Sequence, residues 1–355
     1  MKPTNSNPCT KLVLLMFLCY FLQIKAQSWD IEMDYRPRIE YHDSKDLFKT
    51  SQRSRMRIGY QSERWTASLH LQESRTVEQS KFNQTSETFG FYERWFRYEL
   101  MDHISIKIGR QTLALDDGRL FAAPDWSVYG TAHELALLTY NQSSIQMQVA
   151  STIDETDMQL IRGSIACNKR TKAALMLVRK SRSDTLVFTY GGHATHQNPT
   201  GNLRLSASVY VQTIYDAHEK PLRAHLFATK GTYECWKFAQ LSVGIDVYQP
   251  GFQKLYGAEH SFNGYMDLWK KLPAGGLRDC YVGVGAGSRR ESALRFEVAF
   301  HRFETIQKQT LGSELDLTGT YTIRNIGAMN MGCGILLGKT YWTFIQLRIH
   351  PQLKR

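Results

Sequence analysis

The chain has 355 residues, 42% hydrophobic and 22% charged, with 44 lysines and arginines against 33 aspartates and glutamates. That length holds one large domain or two smaller ones, and six cysteines are too sparse for a disulfide scaffold. The formal charge of +11 falls to +8 when Lys2, Lys11 and Lys25 are set aside, which still suits anionic polymers or acidic surfaces as partners.

Residues 1–26 read as a secretory signal peptide. They hold a polar, basic start, the apolar run LVLLMFLCYFLQI at 12–24, and Ala26 as the cleavage point. The run is short for a membrane helix of about 20 residues. The mature chain, 27–355, is therefore expected to leave the cytoplasm, which argues against nucleic acid as a partner. Processing leaves Cys167, Cys235, Cys280 and Cys333, far apart and without a CxxC pair. They read as packing residues, with one disulfide left open. No later stretch has the run of about 18 apolar residues that a membrane helix needs. The mean hydropathy of −0.39 is that of a soluble chain, yet membrane barrels dilute apolar residues with polar ones along every strand.

From residue 30 onward the side chains alternate with a period of two. In DIEMDYRPRIEYH, Ile31, Met33, Tyr35, Ile39 and Tyr41 share one face, and Asp34, Arg36, Arg38 and Glu40 the other. In SQRSRMRIGYQ, Arg53, Arg55 and Arg57 oppose Met56, Ile58 and Tyr60. RWTASLHLQ, ISIKIG, LSASVYVQT, AQLSVGIDV, LRFEVAF, LDLTGTYTI and TFIQLRI repeat the pattern. A helical period of any length shows only in 252–272. Strands of about ten residues with short polar turns fit an all-β, antiparallel transmembrane β-barrel. A soluble sandwich would instead show strands apolar throughout; a closed barrel with a wet lumen explains one polar face in nearly every strand. Barrel parity and a weak strand within 158–167 give about 18 strands, with 16 as the alternative. Long outer connections are expected at 77–88, 114–131 and 249–276.

The arginine spacing has an energetic reading. At mid-depth on a lipid face each arginine costs roughly 2–4 kcal/mol, so three cost on the order of 6–12 if additive, a large share of typical stability. Arg53, Arg55 and Arg57 are therefore expected to face the lumen beside Arg36 and Arg38. There they either bind anionic groups or only balance Asp34 and Glu40 on the neighbouring strand.

Residues 90–140 carry a motif: Glu93 with Trp95, Gly109-Arg110-Gln111, Asp116-Asp117-Gly118-Arg119, then Trp126 and Glu134. A second is KLYGAEHSFNGYMDLW at 254–269. In these segments the chain resembles the alginate-export family of outer-membrane barrels. The resemblance implies an 18-stranded barrel that passes an anionic polysaccharide, with Glu93 and Arg110 at a narrow electropositive constriction. Tyr92 departs from it, standing where a basic residue is expected. Read from the residues alone, Arg110 falls on the lipid side, and a bulge at Gly109 is needed to aim it inward. The loop bearing Arg119 either folds into the lumen or stays out, held by its own Asp–Arg pair. The 254–269 segment, with His260 and Phe262, either stacks on sugar rings or packs on the rim.

Lumen-facing acids and bases, Arg97 and Lys107 included, nearly balance. Anion preference must then come from local clusters such as 53/55/57 and 36/38. The reading is a passive, monomeric outer-membrane channel for anionic polysaccharide, oligosaccharide or another small anionic solute. Arg36, Arg38, Arg53, Arg55, Arg57, Arg97, Lys107, Arg110 and Arg119 would bind anionic groups, and Glu93 would orient Arg97 or Arg110. No catalytic residue, metal or cofactor is expected. The competing classes are a non-selective or loop-plugged barrel with a binding role, and an outer-membrane hydrolase. The hydrolase lacks an evident nucleophile with its base.

Overall fold

The alternation becomes a sheet that closes on itself. A computed structural model describes residues 28–79, 84–155, 157–216, 220–236, 238–258, 260–287 and 293–350; the expected signal peptide lies outside them. The first strands are β1 (Ser28–His42), β2 (Leu47–Gln61), β3 (Trp65–Gln79), β4 (Gln84–Met101), β5 (Ile104–Gln111) and β6 (His133–Gln142). Next come β7 (Ile145–Thr152), β8 (Met158–Ala166), β9 (Thr171–Arg182), β10 (Thr185–Gln197), β11 (Leu203–Asp216) and β12 (Leu222–Trp236). The last are β13 (Ala239–Tyr248), β14 (Leu277–Ala286), β15 (Leu294–Glu304), β16 (Thr310–Ile323), β17 (Gly327–Leu336) and β18 (Thr340–Ile349).

Each strand pairs antiparallel with the next, and β18 pairs back onto β1, giving a closed 18-stranded barrel with no free edge to manage. The weak strand expected within 158–167 is β8. Two expectations need correcting. The span 77–88 is mostly strand, because β3 and β4 both run far into it. The only helix among the described residues is a short 3₁₀ turn at Asp43–Lys45, so the described residues of 252–272 form turns and irregular backbone.

The outer face is apolar. Met33, Met147, Val149, Leu175, Leu177, Val243 and Phe296 are all exposed, far more apolar surface than a soluble monomer shows. At the end where β1 begins, rings on four successive strands touch: Trp29–Tyr60 at 4.7 Å, Tyr60–Trp65 at 4.3 Å and Trp65–Phe96 at 5.6 Å. Such aromatic girdles mark the edge of the lipid-facing band in membrane barrels. The cysteines belong to the exposed surface too. Cys167, Cys235 and Cys280 are exposed, Cys333 partly so, and all four are free. Their reading as packing residues is thus corrected: Cys280 alternates with the buried Asp279 and so points outward.

The inner face carries the charge. Asp34, Arg36, Arg38, Glu40 and Arg53 are buried there. Register sets Arg36 opposite Arg53, Asp34 opposite Arg55, and Glu32 opposite Arg57, within cross-strand reach. The inner face is not polar throughout, however. The connections 112–132 and 249–276 leave from one end of the barrel and turn into it. They bury Leu113, Leu120, Phe121 and Phe252 against Met158, Leu160, Val178 and Leu226 of the wall. A loop folded inward needs apolar contact to offset its ordering.

Candidate functional site

The DDGR motif is what carries the first loop across the barrel. Asp116 accepts hydrogen bonds from Arg162 on β8 at 2.7 Å and from the Tyr210 hydroxyl on β11 at 3.2 Å. Asp117 accepts from Ser208 on β11 at 3.1 Å and from Arg119 at 2.8 Å. Gly118 between them adopts φ +84°, a turn that glycine takes at least cost. Arg119 then donates to Asp246 on β13 at 2.6 Å and lies 4.1 Å over the Phe262 ring of the second loop. The loop that sequence left as either folded in or self-held does both. Arg119 is consumed by these contacts, with only 3% of its side chain exposed, so it is not free to bind solute.

The two loops then lock to each other. Ala122 donates to the Tyr256 carbonyl at 3.0 Å and Tyr256 to the Leu120 carbonyl at 2.8 Å. Trp126 stacks on His260 at 3.9 Å with the rings 9° apart. The second loop is pinned in turn, because the backbone amides of Tyr265 and Met266 donate to Asp316 and Glu314 on β16 at 3.1 and 2.8 Å.

Beyond Trp126 the loop meets the arginines. Asp125 accepts from Arg53 at 2.8 Å and from Arg348 at 2.8 Å, with Arg36 at 3.6 Å and Arg55 at 3.7 Å. Arg53 and Arg348 also donate to Asp34, at 3.1 and 2.5 Å. The carbonyls of Trp126 and Ser127 accept from Arg38 at 2.9 Å and Arg36 at 2.8 Å. Burial would raise the Asp125 carboxyl. The charges of Arg53, Arg348 and Arg36 outweigh it and hold the group at about 2. Arg57 stands apart, paired with Asp30 at 3.2 Å and Glu32 at 3.1 Å.

Tyr92 and Glu93 both point inward because the β3–β4 register shifts between His70 and Leu71, leaving Tyr92 as the extra residue. Arg55 lies 3.6 Å over the Tyr92 ring. Glu93 accepts from the Thr112 amide at 2.7 Å and hydroxyl at 2.9 Å. It therefore orients the start of the loop, not Arg97 or Arg110 as expected. Arg97 pairs with Glu99 at 2.7 Å and Lys107 lies 3.9 Å over Trp95. Both line a smaller cavity of about 330 Å³ near the β4–β5 turn.

Arg110 is a further correction. The register runs unbroken from Arg94 to Arg110 to Glu134, so no bulge forms at Gly109 and Arg110 stays on the outer face. Its Nε donates to the Phe91 carbonyl at 3.1 Å, while Arg94 pairs with Glu134 at 3.1 Å.

What remains open is a cavity of about 530 Å³, bordered by Arg36, Asp125 and Arg348 on one side and Asp246, Glu297 and Asp316 on the other. Asp125 and the inward turn of Tyr92 escaped sequence reasoning. The only local signal for Asp125 was an acid beside the motif residue Trp126. Among the described residues no group of His, Cys, Asp or Glu is arranged to hold a metal.

The class so defined is the closed, 18-stranded antiparallel barrel of outer-membrane type, with two loops folded inward. Among solved structures the chain is similar to OccK9 (OpdG) of Pseudomonas aeruginosa, with a TM-score of 0.70 at 10% identity over 92% of this chain and 99% of that one. It is also similar to P. aeruginosa OpdK solved with vanillate, with a TM-score of 0.68 at 12% identity over 92% and 99%. Acinetobacter baumannii OccAB4 follows at 0.66 and 11% over 93% and 99%. At these identities the likeness is one of fold. No family model and no curated protein matches the chain, so the alginate-export resemblance rests on its motifs alone.

Proposed function

We propose that the chain is a passive outer-membrane channel that favours small anions, acting after cleavage near Ala26. The observation that carries this reading is the guanidinium wall: Arg36 and Arg348 line the cavity, and Arg53 and Arg55 stand behind them. A row of fixed positive charge beside open space replaces part of an anion's hydration. The cavity volume is that of small-molecule sites, which favours a small solute over a polysaccharide. Its fold relative OpdK was solved with an organic anion, vanillate. Arg97 and Lys107 add positive charge at the second cavity, and Arg57 between them and the main cluster.

Ion selectivity in a planar bilayer tests the reading. Wild-type protein under a KCl gradient should show a chloride-selective reversal potential. Arg55→Ala and Arg348→Ala should each move it toward zero, with a smaller effect at 1 M salt, where screening shortens to about 3 Å. Cation-selective wild-type current would reject the anion preference. A silent bilayer would favour a loop-plugged binding barrel, which interlocked loops would also produce.

A further inference from the structure

Building on the channel reading, we infer that Asp125 is a tethered competitor for the anion site, so that a solute anion binds the arginine wall only as the Asp125 carboxylate gives way. Four guanidinium groups, from β1, β2 and β18, converge on this one carboxylate. Their side of the contact is prebuilt: the residues Arg36 and Arg53 are 4% and 1% exposed. The other side is not, since the Asp125 side chain is 46% exposed and lines the open cavity. The carboxylate thus lies between a fixed basic surface and the space a solute would occupy.

Charge accounting agrees. Arg36, Arg53, Arg55 and Arg348 face two carboxylates, Asp34 and Asp125. Asp34 sits on the wall itself, whereas Asp125 arrives on a loop. A group on a short tether competes as though present at millimolar concentration or above, and this lowers the apparent affinity of a free anion by the fraction of time the site stands open. Weak binding of that kind is what conduction requires, because a solute must also leave.

A plain strut would also place a carboxylate here, but the loop has other moorings. The carbonyls of Trp126 and Ser127 hold Arg38 and Arg36, and Trp126 stacks on His260. Removing the Asp125 charge should therefore free the site without freeing the loop.

Acetate is the free counterpart of an aspartate side chain, so it serves as the probe. In bilayers at 0.1 M KCl, the acetate concentration that halves the chloride current should be about tenfold lower in Asp125→Asn than in wild type. Asp125→Glu, which keeps the charge, should fall between them. Anion-selective wild type with unchanged block in Asp125→Asn would overturn the inference alone, as would a variant that passes potassium and chloride alike. Cation-selective wild-type current indifferent to acetate would overturn the anion preference of the proposed channel and the inference with it.

Discussion

Arg119 and Asp246 meet at 2.6 Å across 127 positions of sequence, with 3% and 1% of their side chains exposed. The pair couples the first inward loop to β13. Removing one partner leaves the other charge buried and unpaired, which costs about 3–5 kcal/mol. Arg119→Ala should therefore detach the loop while the barrel stays closed. Proteinase K nicking within 112–132 should accelerate more than tenfold, with the heat-modifiable gel shift of the folded barrel retained. Arg119→Met with Asp246→Leu should recover most of the protection, because a well-packed apolar pair replaces a buried ion pair at little cost.

Gly130 ends the same loop with φ +73°, and a Cβ there would lie 2.5 Å from the Tyr92 ring and 2.6 Å from Arg55. Left-handed backbone alone costs a non-glycine residue roughly 1–2 kcal/mol. Gly130→Ala should therefore break the stacking of Arg55 on Tyr92 and raise loop nicking. Adding Tyr92→Ala should remove the clash but not the backbone strain, so protection should return only in part.

The carboxyl of Asp125 is held at about 2, below its ordinary 3.8. A group whose folded value is depressed contributes to docking above the ordinary value and loses that contribution as pH falls through the depressed one. The hold of Asp125 on the arginines should thus be constant from neutral pH to about 4 and disappear toward 2. The reversal potential under a KCl gradient, read from pH 7 to 2.5, should move further toward chloride as this hold is lost. Asp125→Asn should lack the component between 4 and 2. The side chain is about half exposed, so solvent screening keeps the effect modest.

Much of the wall was legible in the sequence because each strand separates two environments at every step. Arg53, Arg55 and Arg57 could be placed on one face from spacing alone, and parity pointed to β8 where the alternation was weak. Arg110 shows where this reasoning stops. A bulge was expected on β5 at Gly109, yet the extra residue is Tyr92 on β4. A bulge belongs to the register between two strands, and neither strand's sequence reports it alone. The inward Tyr92 follows from the β3–β4 pairing and the outward Arg110 from the β4–β5 pairing.

The loops mark the other boundary. DDGR signals a tight turn with an ion pair, but not that Asp116 will meet Arg162 and Tyr210, or that Asp125 will lie among arginines of β1, β2 and β18. From sequence by itself came the closed barrel, its two-faced strands and the lumenal arginines, since a period of two is a local property that burial enforces residue by residue. Only the tertiary structure decided which arginines are covered, which border the cavity and which acid holds them. Those contacts join positions tens to hundreds of residues apart, as Asp34 joins Arg348, and no local pattern in the chain encodes such a meeting.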